Sequence, residues 1–250
     1  MKKIPFFNGL SAIFSVLFLV SCNNMTVTTG DGSNKVVGNG KLVSEKKDIN
    51  SFDQIDIEGV FNVILTQGDH EAVKVETDEN IQPLILVSID NNVLSVKMKD
   101  SISIDKMKKI NVFITLVNIN KLSSVGVGSI KCTNRLMLQN FEFINKGVGA
   151  TELNVSADKF TVRSETVGAL FLSGEAKDVV IKNEGVGVIK AFDLKAEKVS
   201  LHSDGIGAAE VYASDELSIH ANGMGGIQYK GHPKVKNIKN EGLCKVEEVE

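Results

Sequence analysis

Asn145-Lys-Gly-Val-Gly149, Asn183-Glu-Gly-Val-Gly187 and Ser203-Asp-Gly-Ile-Gly207 are three copies of one short motif, here called the glycine phrase, that recurs in the second half of the chain. The third residue of the phrase falls at positions 126, 147, 166, 185, 205, 223 and 242. A steady period near twenty residues is typical of a solenoid, in which each repeat stacks on the next. The looser copies are Ser124-Val-Gly-Val-Gly128, Ser164-Glu-Thr-Val-Gly168, Ala221-Asn-Gly-Met-Gly225 and Asn240-Glu-Gly-Leu-Cys244.

The residues on either side of the phrase alternate as they do in β-strands. When the copies are aligned, nearly apolar columns appear two residues before the phrase and four and six residues after its first glycine position. The last two columns are two residues apart, which is the period of a strand with one buried face. The columns are Leu122, Phe143, Val162, Ile181, Leu201, Ile219 and Ile238; Ile130, Thr151, Leu170, Ile189, Ala209, Ile227 and Val246; and Cys132, Leu153, Leu172, Ala191, Val211 and Tyr229.

These columns predict an all-β fold, specifically a right-handed parallel β-helix with rungs of about twenty residues. Equivalent positions would stack about 4.8 Å apart and form one continuous core. The glycines fit a corner with positive φ, and the Ser or Asn that opens most copies fits a hydrogen-bonded corner ladder. The alternative is an antiparallel sandwich of hairpins, which predicts turns every ~8–12 residues and no stacked columns.

The composition restricts the classes of partner. The chain has 250 residues, 42% hydrophobic and 24% charged, with a net charge of -3 and both signs interspersed. A nucleic-acid-binding protein would be expected to carry a basic stripe, which is absent from this sequence. The two arginines, Arg135 and Arg163, are few for a protein that must clamp carboxylates or phosphates.

The N-terminus is typical of a bacterial lipoprotein signal. Lys2 and Lys3 precede an apolar run of about ten residues, which is too short to span a bilayer. Leu19-Val-Ser-Cys22 resembles a lipobox, which implies that Cys22 becomes lipidated and anchors the protein to a membrane. We predict a signal peptide over 1–21, a flexible tether over 22–40 and one domain over 41–250, placed in the outer membrane and facing the periplasm or the exterior.

Residues 41–100 contain strand after strand, separated by turn signals such as Gly68-Asp69 and Asp90-Asn-Asn92. The segment Ser51-Phe-Asp-Gln-Ile-Asp-Ile-Glu-Gly-Val-Phe-Asn-Val-Ile-Leu-Thr-Gln-Gly68 resembles the opening motif of the head GIN domain family. The glycine phrases downstream match that family too, so the resemblance covers roughly residues 42–245. It implies an adhesin-type lipoprotein of Bacteroidetes, and it carries no catalytic signature.

Two cysteines remain after Cys22. Export favours a disulfide between Cys132 and Cys244, but they belong to the first and seventh copies of the phrase. Five or six rungs at ~4.8 Å separate them by ~25 Å, whereas a disulfide needs Cα atoms within ~7 Å. We therefore predict two free thiols.

The residue before the first glycine position is acidic in three consecutive rungs: Glu165, Glu184 and Asp204. Stacked carboxylates repel one another unless a cation lies among them, so this acidic column is a candidate site for Ca²⁺ or another ligand. A basic column two residues upstream, which includes Arg163, Lys182 and His202, offers neutralisation by ion pairs as the other explanation. His202 and His220 supply only half of a transition-metal site, so no metal or other cofactor is assigned.

Phe171, Phe192 and Tyr212 occupy positions predicted to face outward on successive rungs. Exposed aromatic side chains suit stacking on sugar rings or burial under a partner chain. This aromatic patch is therefore a candidate contact site for a glycan or a protein, including a second copy of the chain. The other explanation is that a neighbouring segment covers it.

An adhesin-like or structural binding scaffold is the function that these features favour. The alternative is a polysaccharide-active enzyme resembling pectinases or pectate lyases, which use the same fold. Such enzymes need paired carboxylates or a base beside a basic residue on the outer face. The column five residues after the first glycine position instead mixes Lys131, Glu152, Phe171, Lys190, Glu210 and Gln228, so we expect no catalysis.

Overall fold

The computed structural model describes residues 27–29, 34–100, 102–106 and 108–250. They form strands joined by short turns, with one 3-10 turn at Gln82–Leu84. None of the helices in this part of the chain is long and apolar enough to cross a membrane. The strands are β1 (Val27–Thr29), β2 (Asn34–Val36), β3 (Leu42–Lys47), β4 (Gln54–Gln67), β5 (Ala72–Asp78), β6 (Ile85–Asp90), β7 (Val93–Met98), β8 (Ile102–Ile104), β9 (Asn111–Leu116), β10 (Lys121–Cys132), β11 (Leu136–Met137), β12 (Asn140–Ser164), β13 (Val167–Asn183), β14 (Val186–Ser203), β15 (Ile206–Ala221), β16 (Met224–Lys230), β17 (Val235–Asn240) and β18 (Leu243–Glu248).

The strands β10 to β18 stack in parallel as the turns of a solenoid, and this confirms the predicted fold. β10 pairs with β12, β12 with β13, β13 with β14, β14 with β15, and β15 with β16 and β17. The registers align Gly128 with Gly149, Gly149 with Gly168, and so on through Gly225. Each predicted rung is therefore one turn of the solenoid.

The three apolar columns line its interior. Phe143, Val162 and Leu153 are fully buried, and their counterparts on the other inner rungs are almost so. Phe141 and Phe160 extend the core as a stacked pair with ring centroids 5.3 Å apart. Because each rung contributes equivalent apolar residues, one continuous core runs through the solenoid.

On the inner rungs, the glycine phrase forms a corner that only glycine can occupy at its second glycine position. From Gly128 to Gly225 that residue has a φ between +133° and +150°. A Cβ placed on Gly187 would lie 1.9 Å from the carbonyl oxygen of Gly168, and the other inner rungs show the same close approach. The backbones of successive rungs are thus in direct contact at this corner. The corner ladder is present as well: the Asn183 side chain accepts a hydrogen bond from the Gly185 N–H.

The solenoid begins one rung earlier than the repeat predicts. β4 pairs in parallel with β10, and Gly59 aligns with Gly126. Ile57-Glu-Gly-Val-Phe61 is therefore a further copy of the glycine phrase, with Phe61 at the second glycine position. The sequence hides it because about fifty residues separate the end of β4 from the start of β10, which breaks the period.

The insertion closes the N-terminal end of the solenoid with antiparallel strands. β7 and β9 each pair in parallel with a different part of β4. β7 also pairs with β6 in the antiparallel direction. β9 pairs antiparallel with β5, which in turn pairs antiparallel with β3. Among the described residues, antiparallel pairing occurs in this cap and between β1 and β2, whereas the rungs of the solenoid pair in parallel.

Part of the predicted tether belongs to this end of the body. Asn34–Val36 form β2, which pairs with β8, and Val36 is buried. The prediction of a tether over residues 22–40 missed this contact because the surrounding residues are mostly small and polar.

Candidate functional site

Two of the three carboxylates of the acidic column contact neighbouring polar side chains. The Lys146 ammonium lies 2.8 Å from Glu165, and the His202 ring lies 2.9 Å from Asp204, which also accepts a hydrogen bond from Asn222. Among the described residues, no three His, Cys, Asp or Glu side chains gather closely enough to hold a metal ion. The geometry therefore favours ion pairing for Glu165 and Asp204, and a cation or ligand at Glu165, Glu184 and Asp204 stays a prediction.

His202 and His220 do meet, as their adjacent rungs require. Their rings lie edge to face with centroids 4.8 Å apart. Each ring contacts a carboxylate, His202 that of Asp204 and His220 that of Glu241, at 2.9 Å in both cases. Hydrogen bonds from His220 and Lys239 hold the pKa of Glu241 below its ordinary value. Both imidazoles are thus engaged in ion-pair geometry along the outer corner.

The aromatic patch divides into two environments. Phe171 is 41% exposed, and Phe192 is half-buried beside the same cleft. Tyr212 lies apart: the Lys195 ammonium stands 4.0 Å above its ring, and Gly231 packs closely against it. The structure therefore brings Phe171 and Phe192 together and places Tyr212 in a different groove.

Irregular register explains this division. β13 and β14 lose alignment between Phe171 and Ser173, where β14 carries one extra residue. β14 and β15 lose it again between Ala191 and Ala196, so Phe192 to Lys195 have no aligned partner on β15, although Asp193 to Lys195 align with Ser173 to Glu175 on β13. Such bulges re-aim side chains and open space at the surface of a sheet.

One depression of about 740 Å³, here called the aromatic cleft, lies over these bulges. In-register pairing places Glu152 and Lys190 on either side of Phe171, one rung before it and one rung after it. Glu210 follows Lys190 on the next rung. The cleft is lined by Glu152, Phe171, Leu172, Ser173, Lys190, Phe192, Asp193, Glu210 and Lys230.

The charged side chains of the aromatic cleft are not neutralised within it. Across the described part of the chain, Glu152, Lys190, Asp193 and Glu210 form no salt bridge and no side-chain hydrogen bond. The Lys230 ammonium stands 5.0 Å from the centre of the Phe192 ring. Nearby acids are paired, as Asp158 is with Lys177 at 2.6 Å. The cleft thus offers free donors and acceptors around an exposed ring.

A second groove, of about 780 Å³, follows the opposite edge of the same strands. Its floor contains Ala157, Ala176 and Ala196, which align from rung to rung. Its walls carry the paired Asp158 and Lys177, together with Tyr212 under Lys195. Most of the charged side chains that line this groove have partners, which distinguishes it from the aromatic cleft.

The fourth residue of the glycine phrase, which lies between its two glycine positions, forms an exposed aliphatic column that the sequence analysis missed. Val148, Val167 and Val186 are each about half exposed, although each directly precedes a glycine in the most regular part of the fold. The signal was present in the phrase, where this position is always aliphatic. The complete column is Val60, Val127, Val148, Val167, Val186, Ile206, Met224 and Leu243.

The cysteine predictions fall partly outside the described residues. Cys22, the expected lipidation site, and the signal peptide over residues 1–21 lie there. Cys132 and Cys244 are both free thiols, as predicted. Burial raises the pKa of Cys132, and its sulfur accepts a hydrogen bond from the Asn154 N–H at 3.0 Å. Cys132 therefore acts as part of the packed wall.

Comparison with known families identifies the fold's relatives. The family model described as "putative auto-transporter adhesin, head GIN domain" matches residues 51–233. The chain belongs to the head GIN domain family. The match begins at the rung of Gly59 and ends just after β16, so this head GIN domain includes both the antiparallel cap and the aromatic cleft.

Solved structures agree with this assignment. The head GIN domain is similar to a "putative adhesin" from Bacteroides fragilis, with a TM-score of 0.83 and 29% identity over 85% of this chain and 99% of that chain. A "putative adhesin" from Parabacteroides distasonis gives a TM-score of 0.57 and 26% identity, over 86% of this chain and 100% of that one.

A "putative lipid binding protein" from Parabacteroides distasonis shares the fold at 20% identity, with a TM-score of 0.66 over 87% of this chain and 100% of that chain. No curated protein matches the chain. The family and the structural neighbours described as adhesins favour an adhesin-like role at the cell envelope and give no support to the polysaccharide-degrading enzyme.

Proposed function

We propose that this protein is a lipid-anchored cell-envelope adhesin whose solenoid presents a ligand-binding surface without catalysis. The observation that carries the proposal is the exposed Phe171 ring, set in a cleft where Glu152, Lys190, Asp193 and Glu210 have no salt-bridge partner in the part of the chain that the structure describes. Exposed aromatic residues with free polar groups around them are typical of contact sites. The ligand is a glycan or a protein, and a second copy of the chain is one candidate.

The arrangement of charges argues against catalysis at the cleft. Acid–base catalysis needs a positioned acid and base within reach of one reacting bond. Around Phe171 the carboxylates and ammonium groups alternate along the column on separate rungs, and none is held in place by a hydrogen bond that the structure shows. Binding does not require a positioned acid and base, so the arrangement of charges around Phe171 favours binding over catalysis.

Adhesion can be tested with cells that display the full chain. Cells carrying the wild-type protein are expected to be retained several-fold better than cells without it on plates coated with mucin or with fibronectin. Phe171→Ala should reduce this retention, and Val148→Ala, which removes an exposed aliphatic side chain far from the cleft, should not. Equal retention of all four strains on every plate would rule out the adhesin role.

The lipid anchor has a separate test. Cells grown with an alkyne-tagged fatty acid should label the wild-type chain, and the protein should sediment with membranes. Cys22→Ser should abolish both the label and the sedimentation, because several acyl chains provide stable anchoring that a soluble domain lacks. A labelled Cys22→Ser protein, or a wild-type protein that stays in the soluble fraction, would contradict the anchor.

A further inference from the structure

The aromatic cleft restricts the chemistry of its ligand more narrowly than an adhesive surface in general. Glu152 and Lys190 flank Phe171 at the rung spacing, about 4.8 Å on either side. A ligand that covers the ring must therefore lie beside a carboxylate and an ammonium at the same time. The same mixture continues through Asp193, Glu210 and Lys230.

Strongly charged ligands are disfavoured by this arrangement. A polyanion would approach Glu152 and Glu210, and a basic peptide would approach Lys190 and Lys230, so each meets like charges beside the ring. An entirely apolar ligand would bury these charged groups without partners, which costs free energy. The mixed charges of the cleft therefore disfavour polyanions and basic peptides by repulsion, and entirely apolar ligands by the cost of desolvation.

A neutral sugar meets every requirement of the cleft. One face of a pyranose ring presents C–H groups, which pack against an aromatic ring such as Phe171. Its hydroxyl groups both donate and accept, so they satisfy Glu152 and Lys190 together, and hydrogen bonds to charged groups are the stronger kind. An extended sugar chain laid along the column would meet one rung after another.

We propose that the aromatic cleft is a subsite for a neutral glycan, with Phe171 as the stacking platform, Glu152 as the acceptor and Lys190 as the donor. This inference rests on the proposed adhesin function and specifies its ligand class. Phe192, under the Lys230 ammonium at 5.0 Å, forms the inner wall of the subsite.

The test uses the full chain in a detergent without a sugar headgroup and a panel of linear hexasaccharides. Cellohexaose, maltohexaose and mannohexaose are neutral, hexagalacturonate is anionic, and chitosan hexamer is cationic. Saturation-transfer NMR and calorimetry should show binding of at least one neutral member, with the two charged members at least about tenfold weaker.

Variants locate the binding. Phe171→Ala should weaken neutral-sugar binding at least about tenfold, and Phe171→Trp should preserve it because the stacking surface remains. Glu152→Gln should retain neutral-sugar binding and relax the exclusion of hexagalacturonate. Val148→Ala is the matched control. Thermal unfolding of each variant separates loss of binding from loss of folding.

The subsite would be overturned by tighter binding of a charged hexasaccharide than of every neutral one, or by neutral-sugar binding that Phe171→Ala leaves unchanged. Absence of binding to all five members would also overturn it. The adhesin function fails separately. If the displayed protein still adheres to mucin after periodate has destroyed the sugar rings, adhesion stands and the sugar ligand is wrong.

Discussion

The glycine corner and the face that follows it are built from the same rungs, yet they differ in regularity. At the corner, glycines align without a break from Gly128 to Gly225. On the following face, the register shifts after Phe171 and again after Ala191, and a loop separates β10 from β11. The variation in rung length, from 18 to 21 residues, is therefore absorbed on that face.

This difference has a physical cause. At the corner the backbones touch, and a side chain on Gly207 would lie 1.8 Å from the Gly187 oxygen, so neither an added residue nor an added Cβ fits. On the following face, side chains separate the surface from the core, and a bulge can take up an extra residue. The rigid corner fixes which residues are neighbours, and the irregular face supplies the cleft and the exposed ring.

The largest expected effect comes from inserting one residue. An alanine inserted between Val186 and Gly187 would turn Ile189 and Ala191 outward, because a shift by one residue exchanges the two faces of a strand. We expect this variant to be unfolded by circular dichroism. A glycine inserted between Asp193 and Leu194, within the bulge, should cost about 1 kcal/mol, or about 2–4 °C in melting temperature.

Equal losses from the two insertions would show that the corner is no more restrictive than the face. A third insertion, in the loop at Thr133-Asn134, provides the control for a connection that is irregular already. It should behave like the insertion in the bulge.

A smaller effect is expected from a single methyl group at the corner. Gly187→Ala adds a Cβ that would lie 1.9 Å from the Gly168 oxygen at a φ of +145°. We expect a loss of about 3–5 kcal/mol in the free energy of unfolding, measured with urea. Val186→Thr, at the neighbouring exposed position, should stay within about 0.5 kcal/mol. A similar loss in both variants would mean that the contact between backbones is not what restricts the corner.

The corner could be predicted from the sequence and the irregular face only in part. Gly149, Gly187 and Gly207 recur because no other residue fits at the second glycine position of the inner rungs, so the period reveals the solenoid and its core columns. The rung at Gly59 stayed hidden because the insertion of β5 to β9 removes it from the period. Pairing across such a long insertion depends on tertiary contacts that a local pattern does not contain.

The candidate site shows the same division. Phe171 was correctly expected to be exposed, because it lies between Leu170 and Leu172, which belong to the buried columns, and so points to the opposite side of the strand. Phe192 does share the aromatic cleft with Phe171, but Tyr212 lies apart in the second groove under Lys195, because the register between β14 and β15 is lost after Ala191. A bulge leaves no periodic trace, so the alignment of side chains beyond it cannot be read from spacing alone.

Cys244, at the second glycine position of the last described rung, allows a test of whether glycine is required there. Cys244 aligns with Gly225 but does not have positive φ, and none of the described strands stacks on its other side. Cys244→Gly should therefore destabilise the protein by about 0.5–1 kcal/mol, through the greater freedom of glycine in the unfolded chain. Thermal and urea unfolding provide the measurement. A gain of more than about 1 kcal/mol would show that the cysteine is strained and that the corner rule extends to the end.

The smallest effect concerns charges on the following face of the last rung. A hydrogen bond from Lys245 lowers the pKa of Glu247, and one from Lys236 lowers that of Glu248. Because both pKa values are depressed, their stabilisation is fully present above about pH 4.3, the ordinary value, and is lost as the pH falls through the lowered values. Hydrogen exchange at pH 3 should therefore reveal faster opening of Lys245 to Glu248 than extrapolation from pH 6 gives, while the amides of Met224 and Gly225 at the corner keep their protection.

The double variant Glu247→Gln and Glu248→Gln should open equally at both pH values. Loss of protection at the corner as well would show that acid acts on the whole solenoid and that these two carboxylates do not stabilise the last rung separately.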